Sequence, residues 1–272
     1  MGWASYQEDI ESRLFGAGHM KTTVACWPQP GPRPAAVHKQ QKGQVARGKT
    51  EPMSKLQEFT VASARPLPVV VLADVSGSMA AEGKIEALNT ALGEMIAAFA
   101  QEDSAQAEIH VAVITFGAEA RMHQGLVAAG QVQWQPLRAT GRTPMGAAFD
   151  LARDLIEDRD RVPGRAYSPA IVLVSDGQPT DAWQEPLQRL LGSERAGKAQ
   201  RFALGIGADA DRDMLAAFLA DPEARVLEAH ESRQIRNFFR WVTMSVSQRS
   251  RSATPNRSVM ISPEDLDDFD DF

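Results

Sequence analysis

Short apolar runs alternate with amphipathic stretches through the middle of the chain. LPVVVLAD (67–74) and AIVLVSD (170–176) are brief and continuously apolar, as expected of strands buried on both faces of a parallel sheet. IHVAVITF (109–116) and RFALGIG (201–207) read as further strands. EARMHQGLV is predicted to pair beside the former, and RVLEA (225–229) is the last candidate strand. Between these runs the period changes to that of a helix. KIEALNTALGEMIAAFA (84–100) places Ile85, Leu88, Leu92, Met95, Ile96 and Phe99 on one stripe. PMGAAFDLARDLIEDR (144–159) begins with Pro144, a residue suited to a first helical position. Helices are also predicted at about 182–191, near 211–220 and at 232–247, the last carrying Ile235, Phe238, Phe239 and Val242. Such βα alternation predicts an open, mostly parallel, doubly wound α/β sheet with helices on both faces.

The flanks lack this pattern. Residues 1–65 form an N-terminal extension with a short helix predicted at SYQEDIESRLF, where Ser5 and Glu8 have capping-box spacing. CWPQPGPRPAAVHKQQKGQVARGKTEP follows, with too few apolar residues to offset the entropy of ordering, and reads as a linker. Met53 offers a second translation start beside Met1. The patterned domain is placed at 66–247. Residues 248–272 read as a polar linker ending in the acidic tail PEDLDDFDDF, expected to be disordered alone.

Composition narrows the function classes. The 272 residues are 43% hydrophobic and 24% charged, with a net charge of −6, so no global attraction to nucleic acid is expected. A single cysteine, Cys26, cannot form an intramolecular disulfide. No stretch approaches the roughly 18–20 apolar residues that span a bilayer. Glu8, Asp9, Glu11 and Arg13 interrupt any signal-peptide core near the start. A cytoplasmic protein that binds neither membrane nor nucleic acid is the expectation.

Candidate chemistry collects at the ends of the strands, where open α/β sheets bind ligands. Asp74, Ser76 and Ser78 follow the first run. Taken alone they fit a turn, a nucleophile or a metal site. TGRTPMG (140–146) places Thr143 before a helix, either as a ligand or as its N-cap, and SDGQPTD places Asp176 after another strand. Converging, these positions make an all-oxygen set of carboxylates and hydroxyls, suited to a hard cation such as Mg²⁺, with Mn²⁺ or Ca²⁺ as alternatives. Neutral hydroxyl ligands leave the ion under-neutralised and attractive to a partner's carboxylate. Hydrolysis would require an aligned general base, and no feature identifies one. Asp181 reads as a helix N-terminal charge rather than a ligand. GQVARGKT (43–50) fits the literal phosphate-loop formula but has no strand before it, so no nucleotide binding is expected. A nucleophile elbow is absent around Ser76 and Ser78. His110 and His123 lack paired metal spacing.

The series D-x-S-x-S, a later Thr before a helix, and a strand ending in Asp-Gly resembles the von Willebrand factor A (vWA) domain. In that family these positions form the metal-ion-dependent adhesion site (MIDAS). The resemblance implies Ser76, Ser78 and Thr143 as hydroxyl ligands, completed by Asp74 and Asp176. The wording ADVSGSM…KIEALN…VITFG…TPMGAA…VSDGQPTD is most similar to the bacterial TerY-type proteins linked to tellurite resistance. It implies a non-enzymatic adaptor or scaffold in stress-response or defence signalling, with a protein kinase and a PP2C-like phosphatase as partners. Two alternatives stand beside it: an adaptor of a MoxR- or chelatase-type AAA+ ATPase, and a metal-assisted phosphohydrolase.

Overall fold

The apolar runs pair into one six-stranded sheet, ordered β3-β2-β1-β4-β5-β6. Its strands are β1 (Arg65–Asp74), β2 (Ala107–Phe116), β3 (Ala120–Ala128), β4 (Ala170–Ser175), β5 (Gln200–Ile206) and β6 (Leu227–Ala229). The structure, a computed structural model, describes residues 64–102 and 104–257. The helix expected at 5–15, the linker with Cys26, GQVARGKT and the acidic tail lie outside them. All strands run parallel except β3, which pairs antiparallel with β2 at the sheet's edge. The weaker apolar pattern of β3 reflects that edge position: its residues are half-buried or exposed.

The pleat of β1 separates two cores. Leu67, Val69, Val71 and Ala73 face α1 (Lys84–Ala100) and α5 (Ser232–Arg251), whereas Val70 and Leu72 face the helices of the opposite layer. That second layer is α2 (Met145–Glu157), α3 (Gln184–Leu191) and α4 (Arg212–Leu219). Val69, Val70, Val71 and Leu72 have no exposed surface, and each contributes about 1.5–3 kcal/mol by burial. Every residue of the stripe predicted on α1 is buried, as are Ile235, Phe238, Phe239 and Val242 of α5. Pro66 and Pro68 would interrupt a central strand, but the β1–β4 ladder starts only at Val69↔Ala170. Pro144 occupies the cap position, and α2 starts one residue later at Met145.

The connection from β1 to β2 passes over the face covered by α1, and that from β4 to β5 over the face covered by α3. The chain therefore winds in opposite senses from two adjacent strands. Their C-terminal ends open a crevice, the topological switch point at which such sheets bind ligands.

The helix expected at 232–247 is longer than predicted. Helix α5 continues to Arg251, and the guanidinium of Arg249 is buried, donating to the carbonyls of Ser168 and Pro255 and to Gln200 Oε1. The polar composition of SQRSR suggests solvated linker; instead its arginine closes the base of the sheet. Burial pushes this guanidinium down to about 10, so it stays charged at neutral pH.

Candidate metal centre

Register brings the first and third clusters together. β1 and β4 pair as far as Ala73↔Val174, so Asp74 and Ser175 leave the sheet side by side. Ser175 Oγ donates to Asp74 Oδ2 at 2.6 Å, and the Ser76 N–H donates to Asp74 Oδ1 at 2.8 Å. Asp74 has no exposed surface. Desolvation pushes its carboxyl up to about 6, against the lowering effect of Ser175 and Ser76, and the charge of Asp176 acts in the same raising direction.

The hydroxyls lie one step further out. Ser76 Oγ and Ser78 Oγ are 2.9 Å apart, and both reach Asp176 Oδ1, at 3.4 and 2.7 Å. Two neutral oxygens and one carboxylate oxygen thus share one point of the crevice. Such a donor set fits a hard divalent ion: rotation of the hydroxyls directs lone pairs where their protons now point. Thr143 lies beside Gly177, where an added Cβ would be 3.8 Å from its Oγ1. Its backbone is fixed by Thr180, whose N–H donates to Thr143 O at 2.9 Å while Thr180 Oγ1 accepts from Thr143 N–H at 3.2 Å. Hydrogen bonds therefore join Asp74, Ser76, Ser78 and Asp176, and Thr143 flanks them. Among the described residues no group of three or more His, Cys, Asp or Glu is arranged to hold a metal.

The loop carrying Thr143 is docked through backbone bonds. Gly77 N–H donates to Gly141 O at 3.1 Å, Thr140 N–H to Val75 O at 2.6 Å, and Arg142 N–H to Gly117 O at 3.1 Å. Glycine is required at both contact points. Gly141 has φ +87°, and a Cβ there would fall 2.2 Å from Ala118 N. A Cβ on Gly117 would meet Thr140 O at 2.4 Å.

The model of the von Willebrand factor type A domain matches residues 69–241, more than half of the chain. The chain belongs to this family. Among solved structures, the vWA domain resembles a von Willebrand factor type A protein from Catenulispora acidiphila (21% identity, TM-score 0.52, 67% of this chain and 42% of that one). It also resembles the pilus adhesin SpaC from Lactobacillus rhamnosus GG in its open conformation (16%, TM-score 0.56, 68% and 30%). Proximal thread matrix protein 1 from the mussel byssus, solved with a zinc-occupied MIDAS motif, is a third (15%, TM-score 0.52, 66% and 48%). The chain spans less than half the length of each, and at these identities the likeness establishes the fold. No curated protein sequence matches significantly. vWA domains are metal-binding protein-interaction modules that take a divalent ion at the MIDAS.

Other candidates of this vWA domain fall elsewhere. Asp181 is a helix N-terminal charge, but for α2 rather than its own α3: its carboxylate accepts from Gly146 N–H at 2.9 Å and Ala147 N–H at 3.0 Å. His110 pairs with Glu108 on β2, and His123 contacts Gln135 O from β3. Thr143 precedes the cap of α2 rather than forming it. Sequence reasoning missed Ser175 and Lys84. Lys84 Nζ lies 3.0 Å from Asp176 Oδ2, with the Asp176 side chain fully buried and that of Lys84 17% exposed. One signal was legible: a lysine opening α1 sits where the helix macrodipole disfavours a cation. No apolar helix among the described residues is long enough to cross a membrane.

Proposed function

We propose that this vWA domain is a Mg²⁺-dependent protein-binding module whose ion is completed by a carboxylate from a partner protein. The observation that carries this reading is the convergence of Ser76 Oγ, Ser78 Oγ and Asp176 Oδ1 at the switch point of the sheet. Ser76, Ser78 and Thr143 are the proposed hydroxyl ligands; Asp176 is the charged one and Asp74 acts from beneath. A divalent ion held largely by neutral oxygens keeps excess positive charge, which a partner's carboxylate relieves. Mn²⁺ and Ca²⁺ share the necessary preference for oxygen.

The domain acts in this proposal as a non-enzymatic adaptor. Support comes from the two carboxylates, each already engaged: Asp74 by Ser76 and Ser175, Asp176 by Ser78 and Lys84. Neither is left to serve as a general base. The likeness of its motifs to TerY-type proteins supports a cytoplasmic, bacterial stress-response setting with kinase and PP2C-like phosphatase partners. The test is calorimetric titration of Mg²⁺ into the native chain and the double variant Ser76→Ala/Ser78→Ala, joined to a pull-down with and without EDTA. The native chain is expected to bind the ion and retain EDTA-sensitive partners, and the variant to do neither. Equal Mg²⁺ affinity in both would refute the site.

A further inference from the structure

Lys84 touches the carboxylate at the centre of the proposed site, yet lies outside the three polar clusters at the strand ends. Its placement is specific. It opens α1 after Gly83, which has φ +69°, and its side chain crosses the end of β5. A Cβ on Gly207 would lie 3.5 Å from Lys84 Nζ, so the bare backbone of Gly207 leaves the ammonium its path. Beyond it, Asp176 is divided between two environments. Oδ1 faces the hydroxyls of Ser76 and Ser78, and Oδ2 faces Lys84. The ammonium therefore sits on the oxygen away from the hydroxyl pair, and its presence does not sterically exclude an ion there.

We infer that Lys84 is a resident second cation of the metal centre, which loosens the hold on the divalent ion and raises the loaded centre's preference for an anionic ligand. The inference rests on the proposed metal-dependent binding and deepens it. An ammonium and a divalent ion sharing one carboxylate repel each other through a short, partly desolvated path, which costs metal affinity. The same repulsion strengthens attraction for a ligand's negative charge. Even with Asp74 and Asp176 both ionised, an ion plus Lys84 leaves the centre positive. Neutral ligands gain far less from this excess than an anion does, so Lys84 favours a carboxylate over a carbonyl or a hydroxyl. It also explains how a buried carboxylate is tolerated in the metal-free fold, since removing its partner strands a charge.

The experiment compares the full chain with Lys84→Met, Lys84→Gln and Lys84→Arg. Mn²⁺ alone is titrated by calorimetry, and acetate is then titrated against the Mn²⁺-loaded protein, with water-proton relaxation reporting displacement of metal-bound water. K84M and K84Q should bind Mn²⁺ at least about tenfold more tightly and acetate several-fold more weakly, while K84R keeps both native values. A purely structural lysine would instead lower both affinities or neither, and either result overturns the inference while leaving the metal site standing. Loss of fold in both neutral variants overturns it equally. Silence toward Mn²⁺ in all four proteins refutes the metal centre itself, and the inference falls with it.

Discussion

Ser175 Oγ lies 2.6 Å from Asp74 Oδ2, tying the ends of two adjacent parallel strands at the point where the sheet reverses its winding. The bond holds a carboxyl that has no exposed surface. Asp74 is thus the most costly charge of the centre in the absence of a cation, and its position is justified by what it does beneath the hydroxyls.

That cost has a pH signature. Burial raises the Asp74 carboxyl from its ordinary 3.8 to about 6, so between those values the native state holds a proton that the unfolded chain has released. Stability of the metal-free protein therefore falls as pH rises through this window, by about 3 kcal/mol in all. Asp74→Asn removes the titration, because the amide oxygen still accepts from Ser76 and Ser175 can rotate to accept from the amide nitrogen. The variant should exceed the native chain in urea resistance at pH 7 by up to about 3 kcal/mol, with the gap closing near pH 4. Glu102, held low by its hydrogen bond to Arg251, drifts the other way and cancels in the difference. So does Glu157, where burial opposes but the N–H groups of Ala196 and Arg195 prevail. A variant less stable than the native chain at pH 7 would contradict the buried charge.

Gly141 supports Thr143 by geometry alone. Gly141→Ala forces a side chain into a left-handed conformation and against Ala118 N at 2.2 Å. We expect a loss of about 2–4 kcal/mol, together with weakened Mg²⁺ binding as the loop lifts. Gly164→Ala provides the contrast, since a Cβ there meets nothing within 4 Å and should change stability by about 0.5 kcal/mol or less. Chemical denaturation of both variants, with calorimetry for the ion, decides the matter.

The parts of this centre differ in how far sequence alone exposes them. Buried strands announce themselves because both faces of β1 and β4 are covered, which leaves no polar alternation to confuse the reading. Asp74, Ser76, Ser78, Thr143 and Asp176 stand out because each follows a strand or precedes a helix at the same edge. Ser175 escapes because its role depends on the register of β4 against β1, a pairing between residues a hundred positions apart. Lys84 escapes because lysines on helices are ordinarily solvated, and only its contact across the end of β5 gives it a partner. Arg249 is the reverse case: a locally polar segment is drawn inside by the nearby carbonyl of Pro255 and the carbonyl of Ser168 in a distant loop.

Asp181 separates support from coordination. Its carboxylate caps α2 by accepting from Gly146 and Ala147. Asp181→Ala should cost about 1 kcal/mol of stability through the lost cap and dipole interaction. Mg²⁺ affinity should stay within about threefold of native, the change expected of a residue outside the coordination shell. A drop in affinity with no change in unfolding would instead make Asp181 a ligand acting through water.

Arg249 anchors the chain beyond 247 to the fold. It is 1% exposed and gathers Ser168 O, Pro255 O and Gln200 Oε1 around one guanidinium. Arg249→Met keeps the apolar stem but leaves those acceptors facing a methyl group, at a cost of roughly 2–5 kcal/mol. A chain ending at 247 loses this centre and also the bond from Ser104 Oγ to Ser250 O at 2.9 Å. It should unfold at lower urea concentration than a chain ending at 257, and by at least as much as Arg249→Met. Coincident unfolding of the two truncated chains would place the boundary at 247 and leave Arg249 without a structural role.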